Sequence, residues 1–204
     1  MRTTVFDTPV ISHLLCGISW LLMNLTGWKL EGEKPKARKF VMIGAPHTSN
    51  WDFLVFMGVA LRWRTPVFWL GKSSLFKGPM GPIMRWLGGI PVHRERKCNL
   101  VEQAVAGFNS HHRFVLTLSP EGTRSKVTKW KTGFWHIANN AKVPVYPGFV
   151  DFANKRCGSG PAYKLTGDIH QDIANLQAFY APFRGRRQEE ETPLVTTLTA
   201  DPQQ

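Results

Sequence analysis

Apolar residues along this chain fall into short unbroken runs and longer stretches of helical spacing, and the two kinds alternate. Phe40-Val41-Met42-Ile43-Gly44 and Phe114-Val115-Leu116-Thr117-Leu118 have the pattern of strands buried on both faces. A further short strand is predicted from Pro66 to Leu70, ahead of a turn at Gly71, and another from Val143 to Phe152, where two prolines would place it near an edge or bend. Helices are predicted from Trp51 to Leu61, through Leu100, Val101, Ala104, Val105 and Phe108, from Gly133-Phe134-Trp135 onward, and through Ile169, Ile173, Leu176 and Tyr180. Asn99 and Glu102 read as a capping pair for the second of these. Phe76 to Pro82 reads as a loop, and Ile83 to Leu87 as at most a short helix ending at Gly88-Gly89. The alternation predicts an α/β fold, with a mostly parallel central sheet covered by helices and right-handed crossovers.

The start of the chain has a different character. Thr8 to Trp28 contains no Lys, Arg, Asp or Glu, and Leu14, Leu15, Ile18, Trp20, Leu21, Leu22, Met23 and Leu25 make it an apolar helix candidate. A spanning helix needs about 20 mostly apolar residues, and here Ser12, His13, Ser19, Asn24 and Thr26 interrupt the run. A secretory signal would need a stronger basic start and a small-residue cleavage site. Trp20 and Trp28 suit a membrane interface, and Lys29, Lys34, Lys36, Arg38 and Lys39 follow as contacts for anionic lipid. The segment is therefore expected to be an N-terminal apolar membrane-associating helix that lies in the membrane. The alternative is an ordinary helix packed on the core.

At 204 residues the chain can bury one sizeable core and is short for two domains. Charge sharpens the picture: 26 Lys and Arg against 14 Asp and Glu give a net charge of +12. Arg62 to Lys131 alone holds thirteen basic residues against Glu95, Glu102 and Glu121. Such a field attracts nucleic acid, anionic headgroups or the phosphates of a coenzyme. No zinc-finger, helix-turn-helix or RNA-binding signature accompanies it, so a nucleic-acid reading rests on composition alone. Cys16, Cys98 and Cys157 are odd in number and scattered, which argues against a disulfide framework or a zinc site and for free thiols.

Two stretches carry candidate chemistry. In Ala45-Pro46-His47-Thr48-Ser49-Asn50-Trp51-Asp52 a histidine and an aspartate flank four residues where a strand gives way to a helix, with Ser49 or Asn50 as its cap. Imidazole can take a proton from a hydroxyl near neutral pH, and a carboxylate on its other nitrogen fixes the tautomer and steadies the imidazolium. A capping aspartate beside an ordinary loop histidine would read the same way. The second stretch, Ser119-Pro120-Glu121-Gly122-Thr123-Arg124-Ser125, follows a strand and combines a guanidinium, hydroxyls and a flexible glycine, a set that suits a phosphate. A plain proline-glycine turn is the alternative.

Together the stretches resemble the glycerolipid acyltransferase family, of which bacterial lysophosphatidic acid acyltransferases are typical. His, four residues, Asp is its first motif and Pro-Glu-Gly-Thr-Arg its third, and here they stand in the family's order, about 70 residues apart. Gly71-Lys72-Ser73-Ser74-Leu75-Phe76 with Gly88-Gly89-Ile90-Pro91-Val92-His93-Arg94 looks like the second motif, and Val143-Pro144-Val145-Tyr146-Pro147 like the fourth. His93 and Ser73-Ser74 depart from the common pattern and leave the acceptor open. The resemblance covers roughly residues 40 to 150; with the apolar start and the charged end of the chain, the expected division is 1-30 as the membrane-associating segment, 31-187 as the acyltransferase domain and 188-204 as a flexible tail. The resemblance implies His47 and Asp52 as catalytic residues, with Lys72, Arg94, Gly122, Thr123 and Arg124 on the acceptor's phosphate and Glu121 keeping the cations in register. Lys131 and Gly133 are of interest without an assigned role.

The activity implied is transfer of a fatty acyl group from acyl-CoA or acyl-carrier protein to a lysophospholipid such as 1-acyl-glycerol-3-phosphate, with no metal or bound cofactor. The protein is expected to be peripheral or monotopic on an anionic membrane surface, the cytoplasmic face of a bacterial inner membrane, and to have no nucleic-acid partner. Another lysolipid or an amino-lipid acceptor is the nearest alternative, and a non-catalytic anion or nucleic-acid binder the next.

Overall fold

A computed structural model describes residues 3–92 and 100–193. Seven strands form one sheet in the order β1-β7-β6-β2-β5-β3-β4, with β1 Lys29–Glu31, β2 Lys39–Ala45, β3 Phe68–Lys72, β4 Gly89–Val92, β5 Phe114–Leu118, β6 Val145–Asp151 and β7 Arg156–Ser159. Five neighbouring strands, β6, β2, β5, β3 and β4, run parallel. β7 is antiparallel to β6 and carries β1 parallel to itself, so the sheet is mixed but mostly parallel. Six α-helices accompany it: α1 Pro9–Leu25, α2 Trp51–Arg62, α3 Met80–Trp86, α4 Leu100–Ser110, α5 Gly133–Ala141 and α6 Ile169–Tyr180.

The period of two in β2 explains the layering. Val41, Ile43 and Ala45 face a core shared with Phe108 of α4, Phe134 and Ile137 of α5 and Leu176 and Tyr180 of α6. Phe40 and Met42 face the other side, against Met57 and Ala60 of α2. Burying each large side chain of this kind contributes about 1.5–3 kcal/mol before chain entropy is counted, which is why an unbroken apolar run becomes a central strand. Because β2, β5 and β3 are parallel, the segments that follow them, starting at Pro46, Ser119 and Ser73, leave the sheet at the same end. This is the end where open α/β sheets place their sites.

Three expectations change. Of the edge or bend expected for β6, the edge is excluded: the strand lies inside the sheet between β2 and β7. Pro147 is tolerated because the side lacking a donor faces the point where the β7 ladder stops, and its carbonyl still accepts from Gly160 N at 2.8 Å. α3 begins at Met80, three residues before the predicted start at Ile83. Pro82 then falls in the first turn, where no intrahelical donor is needed. Lys39 does not reach outward to lipid; its Nζ donates to Phe108 O of α4 at 2.6 Å. Asn99 and Cys98 lie outside the described residues, as do His93 and Arg94.

α1 is packed in an unusual sense. Its buried residues are Ser12 and Ser19, and Ser19 Oγ donates to Gly58 O of α2 at 3.0 Å. Val10, Ile11, Leu14, Ile18, Trp20, Leu21, Leu22 and Leu25 are exposed. The polar residues that interrupt the apolar run thus include the ones that dock the helix. Among the described residues no helix is long and apolar enough to cross a membrane. Trp28 packs edge-on against Phe152, with ring centroids 5.1 Å apart.

Candidate active site

The loop after β2 turns back on itself around one carboxylate. Asp52 Oδ2 receives Thr48 N at 2.8 Å, Ser49 N at 2.9 Å and His47 Nδ1 at 3.0 Å, while Ser49 Oγ donates to Oδ1 at 2.7 Å. Asn50 stands at the cap of α2 without a side-chain capping bond, and Ser49 Oγ accepts from Trp51 N at 3.2 Å. Burial works to raise the Asp52 pKa, but the hydrogen bonds from His47 and Ser49 outweigh it and hold the carboxyl below the usual aspartate range. An ionised carboxylate only accepts, so in the neutral imidazole the proton sits on Nδ1, which puts the lone pair on Nε2. The His47 side chain is 31% exposed against 7% for Asp52, so the imidazole is reachable and its partner is not.

Glu121 joins this loop to the one after β5. Its Oε2 accepts the backbone N–H of His47 at 2.7 Å, across 74 residues of chain. The side chain is buried, and burial pushes its pKa above the ordinary glutamate value against the opposing hydrogen bond from His47. Among the described residues no cation lies within ion-pair distance of the carboxylate, which holds the histidine peptide. The loop is shaped by Gly122 N donating to Ser119 O at 3.1 Å and Lys131 N donating to Pro120 O at 2.7 Å. Gly122 has φ +66, a left-handed conformation that favours glycine, and a Cβ there would lie 2.6 Å from Lys131 Nζ, so a side chain would have to displace the lysine.

Of the residues singled out in the sequence, His47, Asp52 and Glu121 are brought into direct contact. Gly122, Thr123 and Arg124 follow in the same loop, with Arg124 exposed. Lys72 is exposed at the end of β3, the sheet neighbour of β5. Lys131 gains a place at the site, its ammonium packed over Gly122. A cavity of about 550 Å³ opens beside Glu121, lined by Ala45, Pro46, Trp130, Tyr180, Phe183 and Arg184 among others. Its size is that of ordinary small-molecule sites. Residues after Arg187, read from sequence as part of a tail, reach this site as far as they are described: Gln188–Glu190 forms a short 3-10 turn, and Lys126 N donates to Glu190 Oε2 at 2.9 Å.

The acyltransferase family model matches residues 29–150, more than half of the sequence. The chain belongs to the acyltransferase family. No curated protein matches the sequence. Among solved structures, the chain is similar to the crystal structure of the 1-acyl-sn-glycerophosphate (LPA) acyltransferase PlsC from Thermotoga maritima. The TM-score is 0.60 at 18% identity, covering 91% of this chain and 86% of that one. At that identity the likeness speaks for the fold. The family match spans β1 to β6 and includes both loops that meet at the His47–Glu121 hydrogen bond.

Cys157 is a poor candidate for a covalent acyl carrier in this acyltransferase fold: it is buried, and burial pushes its thiol pKa up to about 12.

Proposed function

We propose that this protein moves a fatty acyl group from an acyl thioester, acyl-CoA or acyl-carrier protein, to the hydroxyl of a lysophospholipid such as 1-acyl-glycerol-3-phosphate. The observation that carries the reading is the imidazole of His47, oriented by Asp52 and tied through its own peptide to Glu121 of the third motif. Nε2 takes the proton of the acceptor hydroxyl as its oxygen attacks the thioester carbonyl. The tetrahedral intermediate then expels the thiolate, which receives that proton from the imidazolium; a C–O bond has formed and a C–S bond has broken. Arg124, with Gly122, Thr123, Lys72, Arg94 and the Lys131 ammonium, supplies the positive field for the acceptor's phosphate. The same machinery on another lysolipid is favoured to the extent that Ser73-Ser74, which follow Lys72 in a short 3-10 turn, depart from the common second motif.

The direct test is release of free thiol from acyl-CoA and acyl-carrier-protein donors against a panel of lysolipids, with products identified by mass. Absence of turnover with every donor and acceptor would overturn the reading. Arg124→Ala is expected to raise KM for a phosphate-bearing acceptor about tenfold, the value of one charge-assisted contact, and to leave donor KM near that of the parent. An unchanged acceptor KM would remove Arg124 from the phosphate site.

The outward apolar face of α1 supports monotopic attachment. Leu14 and Leu21 are 61% and 49% exposed, and apolar faces of this extent on soluble chains mark interaction surfaces. Leu14→Asp with Leu21→Asp is expected to lower binding to phosphatidylglycerol-containing vesicles at least tenfold, since burying each leucine contributes about 1.5–3 kcal/mol. Flotation at the parent level would show that another surface meets the lipid.

A further inference from the structure

We infer that the segment from Arg184 to Glu191 is a positioning strap for the His47–Asp52 loop, and that it acts through the Thr48 hydroxyl. The inference rests on the proposed function for its link to catalysis, and for its geometry on contacts made by strap residues that lie outside the matched residues 29–150. At its start the strap is fixed to the end of β6: Phe152 N donates to Arg184 O at 2.9 Å and Arg184 N to Asp151 Oδ1 at 3.3 Å. Just before it, Phe183 stacks on Phe149 with ring centroids 4.1 Å apart. In its middle, Arg187 N donates to Thr48 Oγ1 at 3.1 Å, and the Arg186 guanidinium lies 4.8 Å from the Trp51 ring centroid. At its end, Glu190 accepts from Lys126 N beyond β5, while Glu191 Oε1 accepts from Gly185 N at 2.7 Å and closes the segment on itself. The strap therefore ties together the chain leaving β6, β2 and β5, three adjacent strands of the sheet.

Thr48 is where this scaffold meets the site. It is fully buried, and its N–H donates to Asp52 Oδ2, the same oxygen that holds His47 Nδ1. A displacement of Thr48 is thus a displacement of the oxygen that aims the imidazole. The fit leaves no slack: a Cβ on Gly185 would lie 2.7 Å from both Thr48 Cγ2 and Thr48 Oγ1. Trp51, under the Arg186 guanidinium, directly precedes Asp52, so the strap holds the loop on both sides of Ser49 and Asn50.

Thr48→Val keeps the shape of the side chain and removes the acceptor for Arg187 N–H; Thr48→Ser keeps the acceptor. Thr48→Val and Gly185→Ala are expected to lower kcat about tenfold with KM for both substrates within about twofold, because misaiming the base affects the chemical step. Thr48→Ser should retain the parent kcat. Hydrogen exchange of the His47, Thr48 and Ser49 amides, each bonded to a carboxylate in the parent, should speed up at least tenfold in Thr48→Val and not in Thr48→Ser. Exchange needs no substrate, so a parent that transfers no acyl group would sink the proposed function while the amides still report on the strap. Thr48→Val with parental exchange at these amides would overturn the strap. So would a kcat loss that Thr48→Ser reproduces, or one that disappears when rates are expressed per folded molecule.

Discussion

Replacing His47 by alanine is expected to lower kcat for thiol release by about a hundred- to ten-thousandfold, the usual value of a general base. Folding should be little affected. The ring is partly exposed and contributes one hydrogen bond to Asp52, which keeps Thr48 N, Ser49 N and Ser49 Oγ as donors when the ring is gone. Asp52→Asn is the sharper companion. An amide oxygen in place of Oδ2 can still accept from Thr48, Ser49 and His47, and the new NH2 would face Ser49 Oγ, which can accept. The loop geometry survives and the negative charge does not, so kcat should fall by about a hundredfold or more through loss of imidazolium stabilisation. Asp52 has a lowered pKa in the folded chain, so its contribution to stability is present above the unfolded value of about 3.9 and is lost as pH falls through the folded one. Asp52→Asn should therefore be less stable than the parent at neutral pH, with the gap closing in acid. A His47→Ala protein that transfers acyl groups at the parent rate would remove the base from the mechanism.

These variants separate what was legible in the sequence from what was not. β2 and β5 were readable because unbroken apolar runs have one good solution in a two-sided core, and Phe40 to Ile43 bury alternately against α2 and against α4 to α6. The His47–Asp52 contact was readable because five positions across a strand-to-helix turn leave few ways for the two side chains to miss each other. β1 and β7 were not legible: Lys-Leu-Glu and Arg-Cys-Gly-Ser are too short and polar to show a period, and their pairing is set by tertiary contact. The interior place of β6 was hidden because Pro147 argues locally for an edge, and only the sheet shows where its missing donor points. Lys131 was noticed without a role, since its approach to Gly122 depends on the left-handed turn of a loop nine residues earlier. Thr48 gave no signal at all. Its partner lies 139 residues away, and nothing in Arg184-Gly185-Arg186-Arg187 shows locally that Gly185 is pressed against the Thr48 side chain.

Glu121→Ala is expected to lower kcat by about a hundredfold, the cost of misplacing a catalytic group by roughly 1 Å. The argument runs through the His47 peptide. Its N–H is held by Glu121 Oε2 at 2.7 Å, and without that buried acceptor the donor is left unpaired. Glu121→Gln supplies the acceptor through its amide oxygen and should retain most of the parent kcat. The two variants also differ in stability, and the sign follows from burial. A carboxyl whose folded pKa is raised contributes most below the unfolded value of about 4.3 and loses that contribution as pH rises through the folded one. At neutral pH the buried charge is a cost, so Glu121→Gln should match or exceed the parent in thermal midpoint and should lack the parent's decline over that interval. Glu121→Ala should be less stable than either. If Glu121→Gln proves as inactive as Glu121→Ala, the carboxylate acts through its charge and not by tethering the histidine peptide. In that case its counterpart must be sought among the cations of the same loop, Arg124 and Lys131, which a Lys131→Met variant combined with Glu121→Gln would reveal as a non-additive pair.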